Sequence, residues 1–178
     1  MEIRIYYGTI EQGCHYVRPI IEQILSENQF KVDVKAIRLS KNFSDYSEKI
    51  APIIYAKDPD LLITFLLNEV EYPLFFIELS AAVFTEDHEL QRFDGMIAAV
   101  TNETFYVKIS SNLKKSNSDH GGNVDYDFIQ PYSLIKKSFN RYTFHFEWPL
   151  ISETQLEVNP IYLSCPPTID EFSTLLHA

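Results

Sequence analysis

Two neighbouring segments that are apolar on both faces constrain the fold of this chain most strongly. They are residues 59–67, PDLLITFLL, and residues 73–80, PLFFIELS. Short runs of this kind, bounded by proline and polar residues, predict β-strands. A strand that is apolar on both faces is typical of the middle of a sheet with both sides covered. The short polar link at 68–72 predicts that the two strands form a hairpin.

The rest of the chain alternates between strand and helix patterns, which predicts an α/β fold. We expect further strands at 2–7, 31–39, 105–110, 141–148 and 160–164. We expect helices at 10–28, 44–57, 86–99, 125–139 and 168–176, the fourth broken near Pro131, and a loop at 114–123. The 178 residues are the length of one domain, so we predict a single domain over residues 1–178.

The charge balance restricts the partners this chain can bind by itself. There are 25 acidic residues against 15 Lys and Arg, a formal net charge of −10. Proteins that bind DNA strongly by themselves normally present a positive field to the phosphates. Either this chain does not touch nucleic acid, or a partner or metal ions supply the attraction.

No apolar run approaches the roughly 20 residues that are needed to span a bilayer. The N-terminal residues predict a strand and lack the features of a signal peptide. We therefore predict a cytoplasmic protein without a membrane partner. Cys14 and Cys165 are isolated, and an inert thiol is the expected state of each.

Glu78 is an acidic residue within an otherwise apolar strand. It shares a strand face with Ser80 and Phe76 because successive residues point to opposite faces. A carboxylate in such a place is costly unless something pairs with it. Asp60 opens the preceding strand, and a hairpin would bring Asp60 and Glu78 together at one end of the sheet. Two converging carboxylates predict a site for Mg²⁺, which prefers oxygen ligands, with Mn²⁺ as a possible substitute.

Asp60 follows a proline, Glu78-Leu-Ser80 follows a hairpin, and the next helix carries Gln91. The order of these residues along the chain resembles the core of the PD-(D/E)xK nucleases. The resemblance covers about residues 15–110 and implies a restriction-endonuclease-like mixed central β-sheet flanked by helices. It also implies that Asp60 and Glu78 bind the metal. Ser80 stands where the family usually has lysine. The family pattern further implies that Gln91 on the following helix and Glu22 on the first helix, an outer ligand, support the metal or its water.

The combination of Glu22, Asp60, Glu78 and Gln91 most resembles the cleavage half of type IIS restriction endonucleases and their nicking relatives. This resemblance implies a Mg²⁺-dependent endonuclease subunit that hydrolyses one strand of double-stranded DNA. A larger subunit would recognise the sequence and complete a heterodimer. The acidic charge agrees with that role, because a subunit delivered by a partner needs little DNA affinity of its own.

Less specific interpretations remain open for each residue. Glu78 can be a structural carboxylate paired with a buried Lys or Arg, and Asp60 a turn residue. Glu22 is most often exposed helix surface. Lys57 is a candidate for the missing cation. The whole chain can also be a catalytically degenerate nuclease fold that serves as an acidic binding or inhibitor module, in which case Phe and Tyr side chains should be exposed.

Overall fold

The structure is a computed structural model that describes residues 1–81, 86–111 and 129–177. Side chains are described for the same residues except 86–91 and 129–132. The loop predicted at 114–123 and the side chain of Gln91 lie outside the described residues. Among the helices described, none is both long and apolar enough to cross a membrane.

Strands and helices follow one another along the chain, except at two runs of consecutive strands within residues 61–80 and 143–156. The strands are β1 (Glu2–Tyr7), β2 (Asp33–Arg38), β3 (Leu61–Leu67), β4 (Val70–Ser80), β5 (Phe105–Ser110), β6 (Thr143–Glu147), β7 (Leu150–Ser152) and β8 (Gln155–Leu156). The α-helices are α1 (Arg18–Glu27), α2 (Ala51–Ala56), α3 (Glu86–Thr101), α4 (Ile129–Phe139) and α5 (Asp170–His177). A π-helical segment, Glu11–Val17, leads into α1, where Pro19 is tolerated in the first turn.

Six of these strands form one mixed sheet in the order β2-β1-β3-β4-β5-β6. The pairs β1–β3 and β3–β4 are antiparallel, and the remaining neighbours are parallel. The two strands that the sequence predicts for the interior, β3 and β4, occupy the centre of the sheet. The α/β class with a mixed central sheet flanked by helices is therefore confirmed.

The predicted hairpin is also confirmed, with a tighter turn than the sequence indicates. Asn68 and Glu69 form the turn with φ angles of 49° and 67°, and β4 already begins at Val70. Two successive positive φ angles are characteristic of a two-residue turn whose twist matches that of paired strands. The tight turn sets the register next to it, and a one-residue shift between Ile63 and Thr64 then places Leu61 opposite Ile77 at the other end of the hairpin.

Apolar side chains cover both faces of the sheet. One cluster joins Ile77 of β4 to α1 and α5, and includes Phe172. The other joins Phe76 of β4 to α2 and α3, and includes Ile53. Since residues alternate along a strand, Glu78 lies on the same face as Phe76, against α3.

Two local predictions are wrong. The helix expected over 44–57 is a short 3₁₀ turn, Phe43–Asp45, followed by the brief helix α2. Pro52 lies in the first turn of α2, where its missing N–H is harmless, and a longer helix would place it in the interior. Residues 160–164 form turns and not a strand, because the Asn159 side chain accepts hydrogen bonds from the backbone N–H groups of Ile161 and Tyr162, both at 3.0 Å.

Two further differences concern the C-terminal third of the chain. Helix α4 continues through Pro131 without a break, and residues 125–128 of the predicted helix lie outside the described residues. The small β7–β8 hairpin was not predicted. Its strands have three and two residues, which is too short to produce a periodic pattern.

Candidate functional site

Asp60 and Glu78 converge at one end of the β3–β4 hairpin. Leu61 pairs with Ile77, so in this antiparallel register Asp60 comes opposite Glu78 one step further. The Asp60 Oδ2 atom accepts a hydrogen bond of 2.7 Å from the backbone N–H of Leu79. The structure therefore brings together the two carboxylates that the sequence predicts as metal ligands.

These two carboxylates line a small cleft of about 170 Å³. Lys57, Asp58 and Arg92 complete its lining. Every side chain of the lining is charged, and the cleft has room for an ion together with several water molecules. Its polarity distinguishes it from the apolar layers on both sides of the sheet.

Burial controls the ionisation of both carboxylates. It raises the pKa of Glu78 to about 7, and the neighbouring Asp60 charge adds to this effect, while Arg92, Lys57 and Lys108 oppose it. Burial also raises the pKa of Asp60, against the hydrogen bond from Leu79 and the charge of Arg92. Two acids whose ionised forms are both disfavoured lie side by side, and a divalent cation between them would reverse that preference.

Arg92 of α3 is a positively charged residue in contact with Glu78. Its Nε atom lies 3.5 Å from Glu78 Oε2, and its side chain is 18% exposed. Charge-assisted hydrogen bonds are usually about 2.7–2.9 Å long, so this contact is loose. Among the residues that the structure describes, nothing hydrogen-bonds the buried Glu78 Oε1 atom. Arg92 thus offsets part of the Glu78 charge and leaves its carboxylate incompletely bonded.

Gly95 makes room for Glu78 beneath α3. A Cβ atom at this position would lie 2.3 Å from Glu78 Oε1 and 3.0 Å from Phe76 Cε1. A Cβ atom there would force the Glu78 carboxylate to move and the Phe76 ring to give slightly, so glycine lets the helix approach the strand closely at this point. The site therefore depends on a residue that is not itself chemically active.

Lys108 is a charged residue near the site that sequence reasoning missed. It is fully buried on β5 and is the register partner of Glu78, so both side chains lie on the same face. The signal that identified Glu78, a charge in an apolar strand, also applies to Lys108. His145 on β6 is the next partner in this row, and its Nε2 atom hydrogen-bonds Ser110 Oγ at 2.7 Å.

Ser80, the predicted stand-in for the motif lysine, is buried at the end of β4. It pairs with Ser110 of β5 and lies on the same face as Glu78. Ser80 is thus two residues beyond Glu78 on the same face of β4, but it is not among the residues that line the cleft. A hydroxyl there can hydrogen-bond water but cannot supply positive charge.

The structure does not bring Glu22 to the carboxylate pair. Its side chain is 46% exposed and accepts a 2.7 Å ion-pair contact from Arg18 Nε. Helix α1 covers the face of the sheet opposite to the one that carries Glu78. Glu22 therefore matches the exposed-surface interpretation, and the geometry offers it no part in the cleft.

Within residues 1–81, 86–111 and 129–177, no cluster of three or more His, Cys, Asp or Glu side chains could hold a metal ion. Mg²⁺ often uses only one or two carboxylates and completes its shell with water and substrate phosphate. Asp60 and Glu78 fit that type of site, since both are carboxylates and the buried Glu78 Oε1 has an unused acceptor.

In comparisons with known proteins, no family model, no curated protein and no solved structure matches the chain.

Proposed function

We propose that this chain is the cleavage subunit of a DNA endonuclease with a restriction-endonuclease-like fold, and that it hydrolyses one strand with Mg²⁺ or Mn²⁺. The observation that supports this most is the convergence of Asp60 and Glu78 in a charged cleft. Glu78 is buried and Asp60 is half-buried, and burial raises the pKa of each. Their position at one end of a central hairpin agrees with the PD-(D/E)xK pattern.

In this proposal residues of the protein would hold the ion and orient the water that attacks the phosphodiester. Asp60 and Glu78 supply the oxygen ligands, and the Leu79 N–H fixes the orientation of Asp60. A bound Mg²⁺ polarises the phosphodiester and lowers the pKa of a coordinated water. Ser80, on the same face of β4 as Glu78, would hydrogen-bond that water, and Gln91 keeps the supporting role that the motif predicts. We assign no role to Glu22.

The surface agrees with a subunit that depends on a larger partner to bind DNA. The net charge of −10 opposes binding to double-stranded DNA by this chain alone. Several aromatic side chains are exposed, among them Tyr55 at 77% and Phe43 at 43%. Their rings pack edge to face with centroids 5.3 Å apart. Exposed aromatic groups of this kind favour a protein partner, here the recognition subunit of a heterodimer.

A degenerate nuclease fold that acts as an acidic binding module is the second candidate. It is favoured by Arg92, which contacts Glu78 in the cleft, and by Ser80 in the place of lysine. The exposed aromatic residues suit both candidates equally. The two candidates differ in one property, because only the nuclease requires a divalent cation at Asp60 and Glu78.

Tethering removes the need for the unidentified recognition subunit. The full chain is fused by a flexible linker to a sequence-specific zinc-finger array, which raises the local DNA concentration to about the millimolar range. The substrate is a supercoiled plasmid with one site for the array. We expect Mg²⁺- or Mn²⁺-dependent strand breaks close to that site.

The fusion is compared with its Asp60→Asn and Glu78→Gln variants, which should lose at least about a hundredfold in cleavage rate, as is typical for removal of a ligand that stabilises transition-state charge. Glu48→Gln is the matched control, because Glu48 is exposed and outside the cleft. Cleavage that is no faster than with the array alone, or that persists in Asp60→Asn, would refute the proposal.

A further inference from the structure

Arg92 projects from α3 towards the carboxylate pair. It precedes Gly95 by three residues, so both lie on the helix face that meets Glu78. The Tyr106 hydroxyl donates a hydrogen bond of 3.4 Å to the Arg92 carbonyl oxygen, which connects this turn of α3 to β5. The base of the Arg92 side chain is therefore fixed, and its guanidinium reaches the cleft.

The Arg92–Glu78 contact does not have the geometry of a pair that is retained for stability. A buried ion pair stabilises a fold only when its geometry is good and its remaining polar atoms are bonded. Here the Nε–Oε2 distance is 3.5 Å. In the described part of the chain, Glu78 Oε1 has no hydrogen-bond partner. At this distance Arg92 reduces the Glu78 charge without forming a short charge-assisted hydrogen bond to it.

The guanidinium and a divalent cation cannot occupy the same carboxylate without repulsion. A cation that binds Asp60 and Glu78 therefore pushes the Arg92 charge outwards. In the proposed function, the phosphate of a DNA strand held at the metal is a second anion to which a displaced guanidinium can bind. Arginine binds phosphate through two parallel N–H donors and keeps its charge at physiological pH.

From these contacts, and resting on the proposed function, we infer that Arg92 is an exchangeable counter-ion of the metal site. In the absence of a cation it offsets part of the Glu78 charge. When a cation binds, it moves to the scissile phosphate and holds that phosphate in the cleft. Arg92 thus opposes metal binding and promotes cleavage.

Neither lysine near the site fits this role as well. Lys108 is fully buried and does not line the cleft, so it has no access to a strand of DNA. Lys57 lines the cleft, but among the described residues it forms no ion pair with Glu78. Arg92 is the residue of the described cleft that combines access with a contact to the metal ligand.

The test measures metal binding and cleavage separately in Arg92→Met. Calorimetric titration of the full chain with Mn²⁺ should show roughly tenfold tighter binding, because a nearby positive charge is removed. Cleavage by the tethered fusion at saturating Mn²⁺ should fall roughly a hundredfold, because a phosphate contact that stabilises developing charge is lost. Arg92→Lys retains a charge without the planar fork and should give intermediate values for both.

Arg18→Met is the matched control, since Arg18 forms an Arg–Glu pair on the outer surface. It should change neither quantity. Arg92→Gln replaces Arg92→Met if the latter does not fold, as judged by circular dichroism.

Opposite changes in affinity and rate support the inference, since a merely structural arginine would weaken both. Weaker Mn²⁺ binding in Arg92→Met, or undiminished cleavage, would overturn it while the wild type still binds and cleaves. Absence of Mn²⁺ binding by wild type and variant alike would instead refute the proposed function, and this inference with it.

Discussion

Replacing Glu78 by glutamine should make the metal-free protein more stable at alkaline pH. Burial raises the pKa of Glu78 to about 7 from an ordinary value of 4.5. The folded state therefore binds the proton more tightly than the unfolded state, so its stability falls as pH rises from about 4.5 to about 7. Glutamine cannot ionise and does not incur this loss.

The size of the effect follows from the same values. A tenfold difference in proton affinity corresponds to about 1.4 kcal/mol, so ionised Glu78 costs the folded state about 3 kcal/mol at pH 8 and less than about 1 kcal/mol at pH 5. The free energy of unfolding of Glu78→Gln relative to wild type should thus increase by about 2–3 kcal/mol between these pH values. Any fixed cost of the substitution, such as the changed contact with Arg92, cancels in this difference.

Urea unfolding in EDTA at pH 5, 6.5 and 8 measures the effect through the linear extrapolation of the unfolding free energy. Glu48→Gln, at an exposed position, should show no comparable dependence on pH. A stability difference for Glu78→Gln that is constant with pH would refute the reasoning. A stability difference that becomes less favourable to Glu78→Gln towards pH 8 would also refute it, because this would mean that Arg92 holds ionised Glu78 in a firm ion pair.

Three further experiments probe the site and its surroundings. Gly95→Ala should lower the free energy of unfolding by about 1–3 kcal/mol, since the new methyl group would lie 2.3 Å from Glu78 Oε1. Urea unfolding measures this loss. Adding Glu78→Ala to the same chain should restore most of it. Glu71→Ala should lower the free energy of unfolding by about 3–5 kcal/mol, because buried Glu71 accepts a 2.9 Å hydrogen bond from Tyr6. The Mn²⁺ affinity should not change, because Glu71 lies at the far end of the sheet. A decrease below about 1 kcal/mol in urea unfolding would contradict this. Mg²⁺ at ten times its dissociation constant should stabilise the wild type by about 1.4 kcal/mol, seen as a higher melting temperature, and an equal rise in Asp60→Asn would argue against the site.

The central part of the fold follows from local patterns in the sequence. The two segments that are apolar on both faces predict interior strands, and the short link between them predicts a hairpin. Because a hairpin places the start of one strand beside the end of the other, the proximity of Asp60 and Glu78 follows as well. These inferences depend on neighbouring residues and on strand geometry, whereas the one-residue shift between Ile63 and Thr64, which places Asp60 opposite Glu78, was not predicted.

Other features of the site depend on how distant elements pack. Arg92 and Lys108 approach Glu78 from α3 and β5, and nothing in their local sequence indicates the partner. Glu22 was expected near the metal, but α1 covers the opposite face of the sheet, and the periodicity of a helix does not reveal which face it will cover. Residues 160–164 have a strand-like composition, which the side chain of Asn159 overrides by forming a turn.

The central claim is that the carboxyl groups of Asp60 and Glu78 together bind a divalent cation. Crystals of the full chain grown with Mn²⁺ test it most directly by anomalous diffraction at the manganese edge. We predict a peak within roughly 2–2.5 Å of one oxygen from each carboxylate, with the Arg92 guanidinium moved away from Glu78. Saturating Mn²⁺ without a peak in the cleft, and with Arg92 still in contact with Glu78, would contradict the claim.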